Sequence, residues 1–375
     1  MIDEKRIKEI LENYNQEDLT IAVLGGHSAL DVCRGAKRRG FRTLVVAQKG
    51  REKTYSKYYR RRSGKGIVDE VIVLDRFADV VNEEVQEKLR ELNALFVHNR
   101  YFWVYCDFNK IENEFAVPII GSRSMLKLEE RDLPYNQYHL LQEAEIRIPK
   151  IFEDPRKIDR LCIVKANEAL RGYERAFFYV HDYESYQTKS KEMMEKGIIT
   201  EKALQEAVIE EFVLGAQVNF NYFYSPISDE LEFMGTDTRR QTNLDGILRL
   251  PAEQQLQIKG MIRPKIIETG HYTVTIKESI IEKAMAMGEK FVAATKKLDG
   301  RGIIGPFGLQ GAVVPEEGKE DIVIFDASLR IPGSPGTQFT PYTGYLYLES
   351  ISYGDRIAME VEDAVRTDKL DLICT

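Results

Sequence analysis

The chain has few cysteines and no long apolar run. Its 375 residues include four cysteines, at positions 33, 106, 162 and 374, and no two of them form a Cys-x-x-Cys pair. Scattered cysteines of this kind predict reduced, mostly buried thiols in a cytoplasmic protein. No apolar stretch approaches the ~18–20 residues that cross a bilayer, and the first residues carry no apolar signal-peptide core. We therefore expect no membrane association.

The chain also lacks an excess of basic over acidic residues. The net charge is −7 and the pI is about 5.6, so the chain as a whole is not suited to coating nucleic acid or an anionic membrane. Residues 51–65 are the exception, with seven basic residues and three tyrosines. Such a segment can bind nucleic acid, but its shortness argues against that partner. Binding of a small phosphorylated substrate and contact with another subunit are the two alternative roles for this segment.

The first third of the chain predicts a doubly wound α/β unit. Apolar strand runs at 19–24, 41–47, 68–74, 95–98 and 117–121 alternate with helical segments. Ligands bind beyond the carboxyl ends of such strands, so the turn Gly25-Gly26-His27-Ser28 and the segment from His98 to Tyr101 are candidates. The turn is no Gly-x-Gly-x-x-Gly fingerprint, but its NH groups and His27 could hold a phosphate. Ser28 could equally be a simple helix cap.

The middle of the chain changes character. A helix is predicted over 128–142 despite Pro134, followed by a strand that ends in Lys165, a small-residue loop and another strand. A lysine in this position can supply a point charge to a nucleotide phosphate. The run 207–213 is apolar around Glu210 and Glu211, as expected for a hinge strand that contacts adenine and ribose.

Oxygen-bearing side chains lie on two predicted strands near the C-terminus. Gln310 is in the first, Asp326 and Ser328 are in the second, and 313–321 forms the turn between them. Strand residues two apart share a face, so Asp326, Ser328 and Arg330 point the same way. Oxygen ligands suit Mg²⁺ and an arginine suits an anion. An exposed hairpin face with ordinary polar residues is an equally good interpretation of this pattern alone.

In order along the chain, these parts resemble the ATP-grasp superfamily and, within it, the archaeal PurP family of 5-formaminoimidazole-4-carboxamide ribonucleotide synthetases. The matching segments cover nearly the whole chain: Gly26-His-Ser-Ala-Leu, Gly40-Phe-Arg-Thr, Ile163-Val-Lys, Glu211-Phe-Val-Leu-Gly, Asn221-Tyr-Phe-Tyr-Ser, Asn243-Leu-Asp, Arg249-Leu-Pro, Gly305-Pro-Phe and Thr340-Pro-Tyr-Thr. The resemblance implies an α/β (α+β) fold of ATP-grasp architecture with an N-terminal doubly wound pre-ATP-grasp domain. Its expected parts are a pre-ATP-grasp domain (1–124), a lid subdomain (125–209) and a C-terminal subdomain with the metal site (210–375).

The resemblance also implies roles for individual residues. It assigns catalysis to Arg330 and Lys165, metal binding to Gln310 and Asp326, and substrate binding to His27, Ser28, Tyr101 and His271. ATP would contact Lys165, Arg171, Glu210, Glu211, Phe212 and Val213, with Mg²⁺ or Mn²⁺ as the metal. The family has two metal glutamates where this chain has Gln310 and Asp326, a serine at Tyr101 and an asparagine at His271. The lid loop 167–172 lacks most of the family's glycines.

The implied reaction is ATP-dependent joining of formate, or another small carboxylate, to an amine of a ribonucleotide such as AICAR through an acyl phosphate, in purine (IMP) biosynthesis. Because bulky rings replace small polar contacts in the substrate pocket, the chain is expected to be a divergent paralogue in this family. A non-catalytic or differently specific nucleotide-binding paralogue is the alternative. We expect small-molecule substrates and a homo-oligomer in the cytoplasm. His139 and His181 have no ligand partner nearby and are assigned no metal role.

Overall fold

The computed structural model describes residues 2–130, 133–166, 176–262 and 267–375. Its first sheet is parallel and five-stranded in the order β3-β2-β1-β4-β5. The strands are β1 (Thr20–Leu24), β2 (Arg42–Gln48), β3 (Glu70–Leu74), β4 (Ala94–Val97) and β5 (Ile119–Ile120). The helices are α1 (Glu4–Glu12), α2 (Ala29–Arg38), α3 (Glu83–Glu91), α4 (Arg100–Tyr105) and α5 (Phe108–Asn113). The predicted doubly wound sheet is confirmed.

The strand order reverses at β1, which pairs with both β2 and β4. In an open parallel sheet, ligands bind at such a reversal, beyond the carboxyl ends of the strands. His27 follows β1 and Arg100 begins α4 just after β4. The topology therefore brings these two side chains to the same edge.

A small antiparallel sheet follows, in the order β7-β6-β8. It consists of β6 (Cys162–Ala166), β7 (Ala176–Val180) and β8 (Val208–Glu211), with α7 (Tyr183–Glu195) and α8 (Glu201–Gln205) between the last two. The helix predicted over 128–142 is wrong. A short 3-10 segment ends at Glu129, and α6 (Gln137–Glu143) begins only after Pro134, which disfavours helical backbone in the residue before it.

The third sheet is antiparallel, in the order β11-β10-β9-β12-β13. Its strands are β9 (Ala216–Ser225), β10 (Glu230–Gln241), β11 (Glu268–Val274), β12 (Gly305–Glu316) and β13 (Lys319–Ser328). The accompanying helices are α9 (Leu244–Ile247), α10 (Ala252–Gln257), α11 (Glu278–Asp299), α12 (Tyr342–Tyr347), α13 (Tyr353–Thr367) and α14 (Leu370–Ile373). The predicted hairpin is present, but its turn is only Glu317-Gly318, both with positive φ, as a tight two-residue hairpin requires.

Packing crosses the predicted domain limits. The limit at 209/210 falls inside β8, which belongs to the small sheet. Leu128 and Leu140 pack into the core of the large sheet rather than with the small one. Tyr353 and Ile357 of α13 join the core of the first domain. Each element buries its apolar face against the sheet nearest to it in space. The hydrophobic cores of the first domain and of the large sheet therefore contain residues from more than one of the predicted chain segments.

Helix α13 is anchored by buried charge. The Arg356 guanidinium donates to both carboxylate oxygens of Glu232 on β10, at 2.6 and 2.8 Å, and to Glu360 at 2.8 Å. A second contact, with α2, is so close that the backbones of Gly35 and Gly354 face each other with no side chain between them.

The four cysteines are unpaired and buried, as predicted. Among the described residues, no helix has the length and apolarity that a membrane span requires.

Candidate active site

A cavity of about 30 Å³ lies where the large sheet meets the first domain. It opens beyond the carboxyl ends of β1 and β4, as predicted from the sheet reversal. His27, His271, Gln310, Ser328 and Arg330 were expected from the sequence, and all five line it. The other lining residues are Arg100, Asn219, Asn221, Asp237, Arg239, Glu268, Gly308, Pro332, Gly333 and Ser334.

The predicted metal residues are neighbours. Gln310 of β12 pairs directly with Asp326 of β13 in the antiparallel register. The Gln310 side-chain NH₂ donates to Ser328 Oγ at 2.9 Å, which turns its Oε1 toward the Arg239 guanidinium, and these two groups are hydrogen-bonded. The same guanidinium lies 3.9 Å from Asp326 Oδ2. An amide and a carboxylate oxygen side by side fit a hard cation, which would have to share this position with Arg239 or displace it.

Arg330 reaches the cavity from the segment after β13 and is buried. Its terminal nitrogen lies 3.5 Å from Glu129 Oε2, while Glu129 Oε1 accepts from the Leu329 backbone NH at 2.7 Å. Among the described residues, Arg330 Nε has no hydrogen-bond partner. Burial lowers the pKa of Arg330, and the Glu129 carboxylate opposes that shift. A buried guanidinium with an unused donor is a strong site for an anionic group.

Lys165 and Glu210 form an ion pair across the small sheet. Glu210 is buried and also accepts from Tyr138 Oη at 2.6 Å. The Lys165 ammonium lies 6.0 Å from the Phe325 ring centre, so it is close to the strand that carries Asp326. The predicted lysine and hinge glutamate are therefore direct partners, which the sequence did not indicate.

The rest of the predicted hinge connects the small sheet to the large one. Glu211 is partly exposed, and its Oε1 lies 3.3 Å from Arg160 Nη1. The Phe212 backbone NH donates to the Leu161 carbonyl at 2.9 Å, and Val213 packs against the edge of β12 and β13. Arg171, predicted to contact ATP from the lid loop, lies outside the described residues.

The turn after β1 presents His27 to the cavity. Its imidazole Nε2 lies 3.1 Å from Glu268 Oε1, and its ring occupies the space where a side chain at Gly333 would be. Burial, and then the Arg330 charge, lower the pKa of His27 to about 4, so the ring is neutral at physiological pH. The Asn99 side chain holds this turn by donating to the His27 carbonyl at 3.0 Å.

Ser28 does not cap α2. It has a positive φ, makes no side-chain cap bond, and donates its hydroxyl to the Pro332 carbonyl at 2.7 Å. The helix-cap interpretation of Ser28 is therefore wrong. The contact instead ties the turn to the segment that follows Arg330.

His271 lies between two carboxylates. Its Nδ1 is hydrogen-bonded to Asp237, and its Nε2 lies 2.9 Å from Glu268 Oε1. Burial lowers the pKa of His271, but these hydrogen bonds outweigh it and raise the pKa to about 9. Burial likewise opposes ionisation of Glu268, but His271 and Arg239 prevail and lower its pKa to about 2.

Tyr101 is near the cavity without lining it. Its ring fills the space under Gly26, where a Cβ would overlap it, and packs on Phe77 and Tyr105 at 5.2 and 5.3 Å between ring centres. The preceding residue, Arg100, lines the cavity instead. The basic segment 51–65 contributes no lining residue; within it, Tyr55 is buried while Tyr58 and Tyr59 are exposed.

Sequence reasoning missed a set of polar residues on the inner strands. These residues are Asn219, Asn221, Asp237 and Arg239, with Glu268 at the start of β11. A signal was available in β9, where Asn219 and Asn221 alternate with apolar residues. Asp237 and Arg239 lie in the polar second half of β10, which has no such alternation.

Comparison with known proteins gives a consistent result. Two family models match, "Protein of unknown function (DUF1246)" over residues 21–152 and "Domain of unknown function (DUF1297)" over 185–375. The chain is 39% identical to the 5-formaminoimidazole-4-carboxamide-1-(beta)-D-ribofuranosyl 5'-monophosphate synthetase of Methanocaldococcus jannaschii, over 100% of this chain and 99% of that protein.

Solved structures agree in fold. An IMP biosynthesis protein PurP from Thermococcus kodakaraensis matches with a TM-score of 0.69 and 24% identity, over 95% of this chain and 100% of that one. The N5-carboxyaminoimidazole synthetase from Staphylococcus aureus, complexed with ADP, matches with a TM-score of 0.56 and 13% identity, over 93% of this chain and 79% of that one. The fold is that of the ATP-grasp proteins, as expected from the sequence.

Proposed function

The chain belongs to the family of 5-formaminoimidazole-4-carboxamide ribonucleotide synthetases, and from that membership we propose that it joins a small carboxylate to the amine of a ribonucleotide. It is an ATP-dependent ligase of the ATP-grasp class. We propose formate as the donor, a ribonucleotide such as AICAR as the acceptor, and an acyl phosphate as the intermediate, in IMP formation. The observation that carries this proposal is the meeting of Gln310, Ser328 and Arg330 with His27 at one cavity.

The charges around the cavity suit phosphoryl transfer. Gln310 and Asp326 would hold Mg²⁺ or Mn²⁺ through their oxygens, and such an ion neutralises phosphate charge when bound. Arg330 is preorganised in a buried setting and would stabilise charge that develops on the transferred phosphoryl group. Lys165 would contact a phosphate from the small sheet, exchanging part of its pairing with Glu210 for the ligand.

The remaining predicted residues divide into those that would bind ATP and those that would bind the acceptor. The hinge formed by Glu210, Glu211, Phe212 and Val213 would contact the adenosine part of ATP. Arg171 is also proposed to bind ATP. His27 and Ser28 would bind the acceptor at the turn after β1. His271 would contact the acceptor from β11, and Tyr101 would act through the turn that its ring supports.

ADP release measured with a panel of acceptors tests this function. With ATP, Mg²⁺ and formate, we expect ADP to form when AICAR or a related amine-bearing ribonucleotide is added, and not when the acceptor is omitted. The control is the same panel with acetate in place of formate. Failure of every donor and acceptor pair, in protein that binds ATP, would contradict the ligase proposal and favour a nucleotide-binding paralogue without catalysis.

A differently specific ligase is the second candidate, and the His271 network supports it. His271 is fixed between Asp237 and Glu268, so the pocket presents a charged ring where the family has a small amide. A site whose buried polar groups must be paired discriminates strongly between acceptors. ADP formed with another acceptor, but not with AICAR, would favour this candidate.

Replacing His27 with alanine is expected to raise the acceptor's KM by roughly 10–100-fold, with little change in the KM for ATP. A hydrogen bond to a charged group contributes about 1.5–3 kcal/mol, and each 1.4 kcal/mol is about one decade. Steady-state kinetics with each substrate varied in turn measures the effect. His181→Ala, at an exposed histidine of the small sheet region, is the matched control and should change neither KM. Equal effects on both KM values, or no effect on either, would contradict this prediction. Either result would indicate that the acceptor's phosphate binds instead to the basic segment around Arg60.

We also propose that the enzyme works as a homo-oligomer in the cytoplasm. Phe339, Tyr345 and Leu348 are largely exposed and close together in sequence, which supports a contact between copies. Sedimentation of the purified chain tests this, since a single species at the monomer mass of 43.2 kDa would contradict it.

A further inference from the structure

Three potential metal ligands from two domains meet at the cavity. His27 comes from the turn after β1, whereas Glu268 and His271 belong to β11. Each can offer one ligand atom, and these atoms all lie within 4.8 Å of one another. Glu268 Oε1 is the common point, 3.1 Å from His27 Nε2 and 2.9 Å from His271 Nε2.

These separations are close to those of a tetrahedral ion. With metal–nitrogen and metal–oxygen bonds of about 2.0–2.2 Å, neighbouring ligands of a tetrahedral zinc lie roughly 3.3 Å apart. The two edges that end on Glu268 are only a few tenths of an ångström shorter. An ion at the centre would require small side-chain rotations rather than a backbone movement.

The surroundings orient the ligands. His271 turns its Nδ1 to Asp237, which leaves Nε2 directed at Glu268. Asp237 is itself buried and held by the side-chain amides of Asn219 at 2.9 Å and Asn221 at 2.7 Å. A carboxylate behind the imidazole is the arrangement that fixes the tautomer and orientation of metal-binding histidines.

Glu268 is oriented in the same way. Its second oxygen, Oε2, lies 3.2 Å from Arg239 Nε, so Oε1 is the oxygen left for an ion. His27 directs its Nε2 at the same oxygen, 3.1 Å away. All three side chains are therefore held with a donor atom toward the same point.

We propose that His27, Glu268 and His271 form a binding site for a divalent transition-metal cation such as Zn²⁺, separate from the Mg²⁺ position at Gln310 and Asp326. Two imidazoles and one carboxylate are a ligand set of catalytic zinc sites, which keep a fourth position open. Imidazole favours zinc and related metals, whereas an amide and a carboxylate oxygen favour Mg²⁺. An ion at His271 Nε2 would release the proton of that nitrogen to solvent, while Nδ1 keeps its proton and its hydrogen bond to Asp237.

The fourth position would face the cavity, where Arg330 and Ser334 also point. An anionic oxygen of a bound substrate is the kind of ligand that suits this position, since it would be shared between the metal and a guanidinium. With the metal bound, His27 and His271 would therefore contact the acceptor through the ion and not directly. The site stands on the geometry of the three side chains and does not depend on which ligase reaction the chain performs.

Calorimetric titration of the metal-free full chain with Zn²⁺, without nucleotide, tests the proposal. We expect a single tight site per chain. His27→Gln, Glu268→Gln and His271→Asn should each abolish tight binding, and Asp237→Asn should weaken it by about 10–100-fold, as outer-shell substitutions do. The matched controls are His181→Gln and Asp326→Asn, which should keep the zinc site. Zinc affinity in His27→Gln and His271→Asn equal to that of the unchanged chain would overturn the proposal, as would no tight binding at all.

The visible spectrum of bound Co²⁺ reports on the metal ligands themselves. It would not change if a substituted residue only supported the fold. Co²⁺ at this site should give the visible absorption of a four-coordinate ion, lost in His271→Asn and kept in His181→Gln. Thermal melting of each variant without metal shows whether it is folded. A folded His271→Asn that keeps the cobalt spectrum would place the ion elsewhere and contradict the assignment.

Discussion

Asp326→Asn is expected to lower the rate of ATP turnover by roughly 10²–10³-fold, the size of effect seen when one electrostatic contact to a transition state is removed. Asparagine keeps the shape and one oxygen but loses the negative charge that, in the proposed site, would hold a divalent cation beside Gln310. ADP release at saturating ATP measures the rate. A Mg²⁺ titration should show that the variant needs more metal for half-maximal activity.

Two variants control this experiment. Asp326→Glu restores the family's residue and should retain most of the activity. Asp321→Asn makes the same change on the same strand, but Asp321 pairs with Arg147 and Lys283 near the hairpin turn, so activity should be unchanged. A normal rate in Asp326→Asn would mean that the metal lies elsewhere. A low rate with an unchanged Mg²⁺ requirement would instead indicate that Asp326 acts by positioning Arg239, which lies 3.9 Å away.

The hairpin could be predicted because local chemistry determines it. Apolar runs on each side of an acidic turn with a glycine predict two strands joined as a hairpin, and the two-residue strand period puts Asp326 and Ser328 on one face. The pairing of Gln310 with Asp326 also requires the register shift between Gln310 and Gly311, which the sequence did not indicate. The parallel sheet was equally accessible, since its strands are apolar runs separated by helical segments. In both cases the interacting residues are close in sequence or repeat with a regular period.

The site's polar network could not be predicted in the same way. Arg239 contacts Gln310 across 71 positions of the chain, and His27 meets Glu268 across more than 200. Neither pair leaves a local pattern, and only the strand order of the large sheet brings β10 and β11 to the cavity. Tyr101, to which the resemblance assigned a substrate contact, has its ring packed beneath Gly26, whereas the neighbouring Arg100 lines the cavity.

Gly354→Ala is expected to destabilise the protein by at least about 3 kcal/mol, the upper end of the usual cost of overpacking. A Cβ at Gly354 would overlap the Asp31 carbonyl group, and a Cβ at Gly35 would overlap the Gly354 carbonyl. Backbone atoms on both sides cannot rotate away as a side chain does, so α2 and α13 would have to separate. The separation also weakens the bond from the Gly354 NH to the buried Asp31 carboxylate, now 3.0 Å long.

Urea unfolding measures the change in free energy, and Gly246→Ala is the matched control. Gly246 lies in α9 with a negative φ and no atom within 4 Å of the added methyl, so alanine there should be neutral or slightly stabilising. Equal stability of the two variants would show that the helices part at little cost. Because α2 begins directly after the turn that carries His27, we also expect Gly354→Ala to raise the acceptor's KM more than that for ATP. The contact between Gly35 and Gly354 would then help to set the position of His27 against Gly333.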